Sequence, residues 1–94
     1  MKPARKKIDA RARIALEEGE LTGPLDVVVR TEATPSGTDL ARLASRGLTV
    51  GTCTGNVLTG RIAADQLLHF AALPIVEEVE VSRPLYAEYA EVES

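Results

Sequence analysis

Hydrophobic side chains in this chain recur with two different periods, and the order of those periods constrains the fold more than any other feature. Residues 25–32 (LDVVVRTE) alternate, with Leu25, Val27 and Val29 on one side, and are rich in β-branched residues, which predicts a strand. After a turn around Pro35, Ser36 and Gly37, residues 38–46 place Leu40, Leu43 and Ala44 on one helical face. Gly47 suits the left-handed position that ends a helix. Residues 48–54 and 57–62 read as strands joined by a tight hairpin turn at Gly55 and Asn56. Helical spacing returns over residues 64–73, with Leu67, Phe70, Ala71 and Leu73 turned inward, and Pro74 fixes the end. Residues 76–82 (VEEVEVS) alternate again, so that Val79 and Val81 face the helices while Glu78 and Glu80 face away.

The resulting order, βαββαβ, predicts a ferredoxin-like α+β domain: a four-stranded antiparallel sheet with two helices on one face. A further short helix is expected over residues 8–18, where Ile8, Ala12, Ala15 and Leu16 recur at near-helical spacing before Gly19. The chain divides into a basic N-terminal arm carrying that helix (1–23), the ferredoxin-like body (24–83) and an acidic, extended C-terminal tail (84–94). The second sheet face stays open. Alternation assigns it Asp26, Val28, Thr49, Gly51, Cys53, Val57, Thr59, Glu78 and Glu80, mostly small or acidic groups that let a partner surface approach closely.

Ninety-four residues allow one core, and an aromatic content of 3% leaves aliphatic and alanine side chains to fill it. The formal net charge of −3 conceals two ends of opposite sign. Lys2, Arg5, Lys6, Lys7, Arg11 and Arg13 crowd the start, which reads as a solvated basic arm, and glutamates crowd the end. No apolar run reaches the roughly 18 residues of a membrane span, and no apolar signal core follows the basic start, so the expected location is cytoplasmic, with no membrane partner. The lone cysteine, Cys53, excludes an internal disulfide, and the lone histidine, His69, falls on a helix across the sheet from the face expected for Cys53. No metal-binding, phosphate-cradling or dinucleotide motif occurs, so no cofactor and no catalytic residue is assigned. A sheet without aromatics and with an acidic fourth strand argues against nucleic acid as a partner.

At the second body helix and the fourth strand the residues become more specific. Residues 66–80 (QLLHFAALPIVEEVE) resemble the segment of subtilisin propeptides in which a helix ends in Ala-Ala-Leu-Pro and runs into a Val-x-x-Val-Glu strand. Residues 40–50 (LARLASRGLTV) are similar to that family's first helix and its closing glycine, and LDVVVRTE to its opening strand. The resemblance spans roughly residues 25–88. It departs at Ala63, where the family often has a capping serine, and at Arg61, where a phenylalanine often follows the glycine.

The resemblance implies a stand-alone propeptide or proteinase-inhibitor domain that acts in trans on a subtilisin-like serine protease, as inhibitor or folding chaperone. In that family the open sheet face packs on two surface helices of the protease and fourth-strand carboxylates cap their N-termini, a role that falls here to Glu78 and Glu80. The tail then enters the substrate cleft. Counting as in the family places Leu85 in the large apolar pocket and Glu88 in the primary specificity pocket. A shift of one residue places Tyr86 and Tyr89 there instead, with Ala87 lying flat between them. The tyrosine pair is preferred, because an aromatic ring supplies more buried area than a carboxylate. The competing reading is a ferredoxin-like regulatory or assembly module that pairs through its sheet with another protein or, as a weak homodimer, with itself.

Overall fold

The computed structural model describes residues 3–82. Its strands are β1 (Pro24–Thr31), β2 (Thr49–Thr54), β3 (Val57–Ala63) and β4 (Val76–Val81), and its helices α1 (Ala10–Glu17), α2 (Gly37–Ser45) and α3 (Leu67–Ala71). The strands form one antiparallel sheet in the order β2-β3-β1-β4, the ferredoxin-like arrangement expected from the periodicity.

Local chemistry sets most boundaries. Ser36 and Asp39 form a reciprocal capping box at the start of α2, with Ser36 Oγ accepting from Asp39 N at 3.1 Å and Ser36 N donating to Asp39 Oδ2 at 2.9 Å. The Ser36 backbone N–H, aided by the hydroxyl and by Arg42, holds the Asp39 carboxyl below its ordinary pKa. Gly55 turns the β2–β3 hairpin with φ +60°, a conformation costly for any side chain with a Cβ. The second body helix differs from the continuous run expected over residues 64–73. It opens as a 3-10 turn, Ala64–Gln66, and only Leu67–Ala71 is α-helical. Ala63 at the N-cap offers no side-chain acceptor, so the first turn tightens to satisfy its own amides.

Phe70, Leu67, Ala71 and Leu43 pack against Val27, Val29, Leu58, Val76 and Val79, all with 0–2% exposure, to form one core on the helix-bearing face. Leu40 and Val50 lie half-buried at its margin. Ala44, expected to face inward, is exposed: one helical step beyond Leu43 already carries it off the narrow stripe by which α2 touches the sheet.

The N-terminal arm is the main departure from expectation. It is docked rather than solvated. Ile8 is 2% exposed and bridges Val79 in parallel, so the chain is extended at Ile8 and α1 begins only at Ala10. Asp9 N donates to Val79 O at 3.1 Å, and Asp9 Oδ1 accepts from Val81 N at 2.9 Å. The other carboxylate oxygen caps α1 by accepting from Ala12 N at 3.1 Å. Lys7 is buried as well, its ammonium donating to Leu73 O just beyond the end of α3 at 3.0 Å. Ala12 and Ala15 of α1 join the core, and Arg5 pairs with Glu17 to tie the preceding turn, Ala4–Lys7, to the helix.

Two stability measurements check this packing. Phe70→Ala is expected to cost about 3–5 kcal/mol in chemical denaturation, and Ile8→Ala about 2–5 kcal/mol. A value near zero for Ile8→Ala would mean the arm contributes nothing to the core. Gly60→Ala places a Cβ at 2.5 Å from the Thr49 carbonyl and 2.9 Å from Leu48 Cδ1, which forces backbone movement. It is expected to lower stability by about 1–3 kcal/mol in the same measurement.

Candidate protein-binding face

The sheet face opposite the helices is uncovered among the described residues. Which side chains stand on it follows from strand register and from two bulges. Along β1, Asp26, Val28 and Arg30 point to this face and pair with Arg61, Thr59 and Val57 of β3. On the other flank Val28 is opposite Glu80, and Arg30 opposite Glu78. The register then shifts by one residue at Glu77, and this bulge allows Val76 and Val79 both to reach the core.

A second bulge lies in β2, where the pairing passes from Val50↔Gly60 to Thr52↔Thr59 and leaves Gly51 unpaired. Gly51 and Thr49 stay on the open face as expected, but beyond the bulge the parity reverses. Thr52 and Thr54 join the face, and Cys53 moves to the helix-bearing side opposite Leu58, where its thiol is exposed and lies 3.8 Å from Gly55 O. The alternation-based assignment of Cys53 is therefore corrected: an extra residue in a strand inverts every later side chain. Gly51 suits the bulge because a Cβ there would press on Thr59 Oγ1 at 3.2 Å. Thr59 Oγ1 instead accepts from Thr52 N at 3.2 Å and lies 2.7 Å from Thr52 Oγ1.

The charges on the face are mostly paired. Arg30 reaches Glu78 at 2.6 Å and Glu77 at 3.5 Å, and Arg61 reaches Asp26 at 3.0 Å. Glu80 is exposed and makes no ion pair or side-chain hydrogen bond among the described residues. The two carboxylates singled out by sequence thus differ: Glu78 is compensated by Arg30, and Glu80 has no ion-pair partner among the described residues. Two shallow depressions flank Val28. One, of about 320 Å³, is lined by Arg30, Val57, Glu78 and Glu80; the other, of about 410 Å³, by Asp26, Thr49, Gly51, Thr59 and Arg61. Val57 adds an apolar contact at 41% exposure.

Both free-edge positions are modified. β4's outer edge is covered by Ile8 and Asp9, and β2's is interrupted by the Gly51 bulge. His69 is exposed on α3, which packs against β4 and the N-terminal turn, whereas Cys53 sits on the opposite edge strand. Among the described residues no helix is long and apolar enough to cross a membrane, and no three His, Cys, Asp or Glu side chains cluster as metal ligands. Leu85, Tyr86, Ala87, Glu88 and Tyr89 lie outside the described residues.

Sequence reasoning missed Arg30 and Arg61 on the face, although the alternation that selects Asp26 and Val28 extends to Arg30 unchanged. It also missed Asp9, whose signal was an N-cap residue before a helical run. Comparison with protein-family models, with curated proteins and with solved structures gives no match to the chain. Because the face pairs are exposed and ion pairs in water contribute little, Glu80→Gln and Arg30→Gln are each expected to leave the melting temperature within about 2 °C. A larger loss on Glu80→Gln would mark that carboxylate as structural.

Proposed function

We propose that the chain is a protein-binding module, not an enzyme, that acts in trans on a subtilisin-like serine protease as inhibitor or folding chaperone. The single observation that carries this reading is the open sheet face, half neutralised by its own ion pairs and presenting Glu80 unpaired beside small residues and Val28. Such a face accepts a pair of helices end-on to its carboxylate: the unsatisfied N–H groups and dipole of a helix N-terminus attract one negative charge, and small side chains permit close approach. Glu80 takes the capping role in this reading, with Glu78 held beside it by Arg30. The tail follows directly from β4, and as an extended segment it adds main-chain hydrogen bonds in the substrate cleft, with Leu85 and Glu88 or Tyr86 and Tyr89 as its pocket-filling anchors.

The assembly reading is weakened where it would use sheet edges. β4's outer edge is occupied by the arm and β2's is bulged, the two devices that suppress edge-to-edge pairing. Face-to-face pairing with another protein or with a second copy remains to it, and between two copies it would set Glu80 against a surface of the same net sign.

Inhibition of a broad-specificity subtilisin tests the reading. The full chain is expected to inhibit, Glu80→Gln to weaken affinity by about 2- to 30-fold, and a version ending at Arg83 to lose most of its potency. Equal potency with and without the tail would remove the cleft role, and no inhibition by any of them would remove the protease as partner.

A further inference from the structure

The positive charge of the N-terminal arm is used by neither the core nor the open face. Lys7 turns inward to Leu73 O and Arg5 pairs with Glu17, but Lys6 and Arg13 make no ion pair among the described residues. Both line, with Pro3 and Arg5, a depression of about 220 Å³ to which no acidic side chain contributes. Asp9 is the sole acid between residues 3 and 16, and its two carboxylate oxygens are engaged elsewhere, accepting from Ala12 N and Val81 N. None of the four lining residues belongs to either depression on the open face, so nothing about this place depends on the protease reading.

Folding gives no reason for cations here. A helix favours acids at its start and bases at its end, and α1 reverses both, with Arg11 and Arg13 in its first turn and Glu17 in its last. Arg5, Lys6 and Arg13 around one depression also repel one another. An anion held among them relieves both penalties. Its charge follows from the pairing: Glu17 matches Arg5, which leaves the cations of Lys6 and Arg13 and favours a dianion over a carboxylate. Its shape follows from the donors, since a guanidinium forks onto two oxygens of one group while an ammonium acts as a point charge. A phosphomonoester at pH 7 carries a charge of about −1.5 to −2 and three acceptor oxygens. At about 30 Å³ per water the depression has room for roughly seven waters, enough for a phosphoryl group and a small substituent. We propose that Lys6 and Arg13, flanked by Arg5, form a binding site for phosphate, free or as the terminal monoester of a small molecule.

Backbone amide shifts of the full chain, followed by NMR while chloride is exchanged for inorganic phosphate or glycerol phosphate at fixed ionic strength, test the site. Saturable shifts centred on residues 4–14 are expected. Lys6→Gln and Arg13→Gln are each expected to weaken binding about two- to fivefold, and the two together to abolish saturation. Arg13→Lys keeps the charge and loses the fork, so its affinity should fall between those of Arg13→Gln and the unaltered chain. Because these cations oppose the helix dipole, Arg13→Gln is expected to leave the melting temperature unchanged or raise it, which separates lost binding from lost folding. Saturation by both compounds assigns terminal monoesters to the site, and saturation by phosphate alone assigns the free ion. No saturation in the unaltered chain, or equal saturation after Lys6→Gln with Arg13→Gln, would overturn the site. So would a duplex oligonucleotide or an anionic lipid vesicle that binds through these residues where neither small phosphate does.

Discussion

Phe70 is the one aromatic side chain outside the tail, and the inner face of the sheet has to be closed around it by aliphatic groups. Each of those buries less area than a ring, so the core needs more contributors than two short helices supply. α2 delivers Leu43 fully and Leu40 in part, and α3 has only five residues. The deficit is met from the N-terminus: Ile8, Ala12 and Ala15 complete the hydrophobic cluster, and the arm that looks dispensable by charge becomes part of the body. Burial of Lys7 follows from the same arrangement. Its ammonium is tolerated because it reaches the Leu73 carbonyl, at the end of a helical segment where carbonyl groups favour positive charge.

Docking the arm has a second effect. A chain that crosses beside β4 satisfies part of that strand's outer edge, and Asp9 does so with a side chain while it caps α1 with its other oxygen. Together with the bulge at Gly51, this removes flat, unpaired backbone from both sides of the sheet. Completion of the core beside β4 and protection of that strand's outer edge are therefore both served by the placement of residues 8 and 9.

The order and type of the body elements were legible because periods of two and of about 3.6 are properties of local sequence, and β1, α2, the hairpin and β4 each carry turn or capping residues that mark their ends. Phe70, Leu67 and Val79 were legible as core for the same reason. Cys53 was not, because a bulge depends on how two strands pair, and a count along one strand cannot see it. The arm's docking depends likewise on unmet needs elsewhere in the core. On the face, alternation identified Glu78 and Glu80 as exposed but treated them alike; only cross-strand neighbours distinguish a carboxylate opposite Arg30 from one opposite Val28.

In the proposed binding role, that distinction bears on specificity. A face with many unpaired charges attracts any surface of opposite sign, at a rate and range set by salt rather than by fit. Here Arg30 pairs with Glu78 and Arg61 with Asp26, and among the described residues Glu80 is the carboxylate on the face without an ion-pair partner. A partner that sets a helix N-terminus or a cation at that point gains the interaction. One that offers a carboxylate there meets repulsion, and one that sets an apolar group there leaves a desolvated charge. Discrimination by a single uncompensated charge in a neutral surround needs only that the surround be shaped to bring partners close. The small residues Gly51, Thr49 and Thr59, next to Val28, supply that shape.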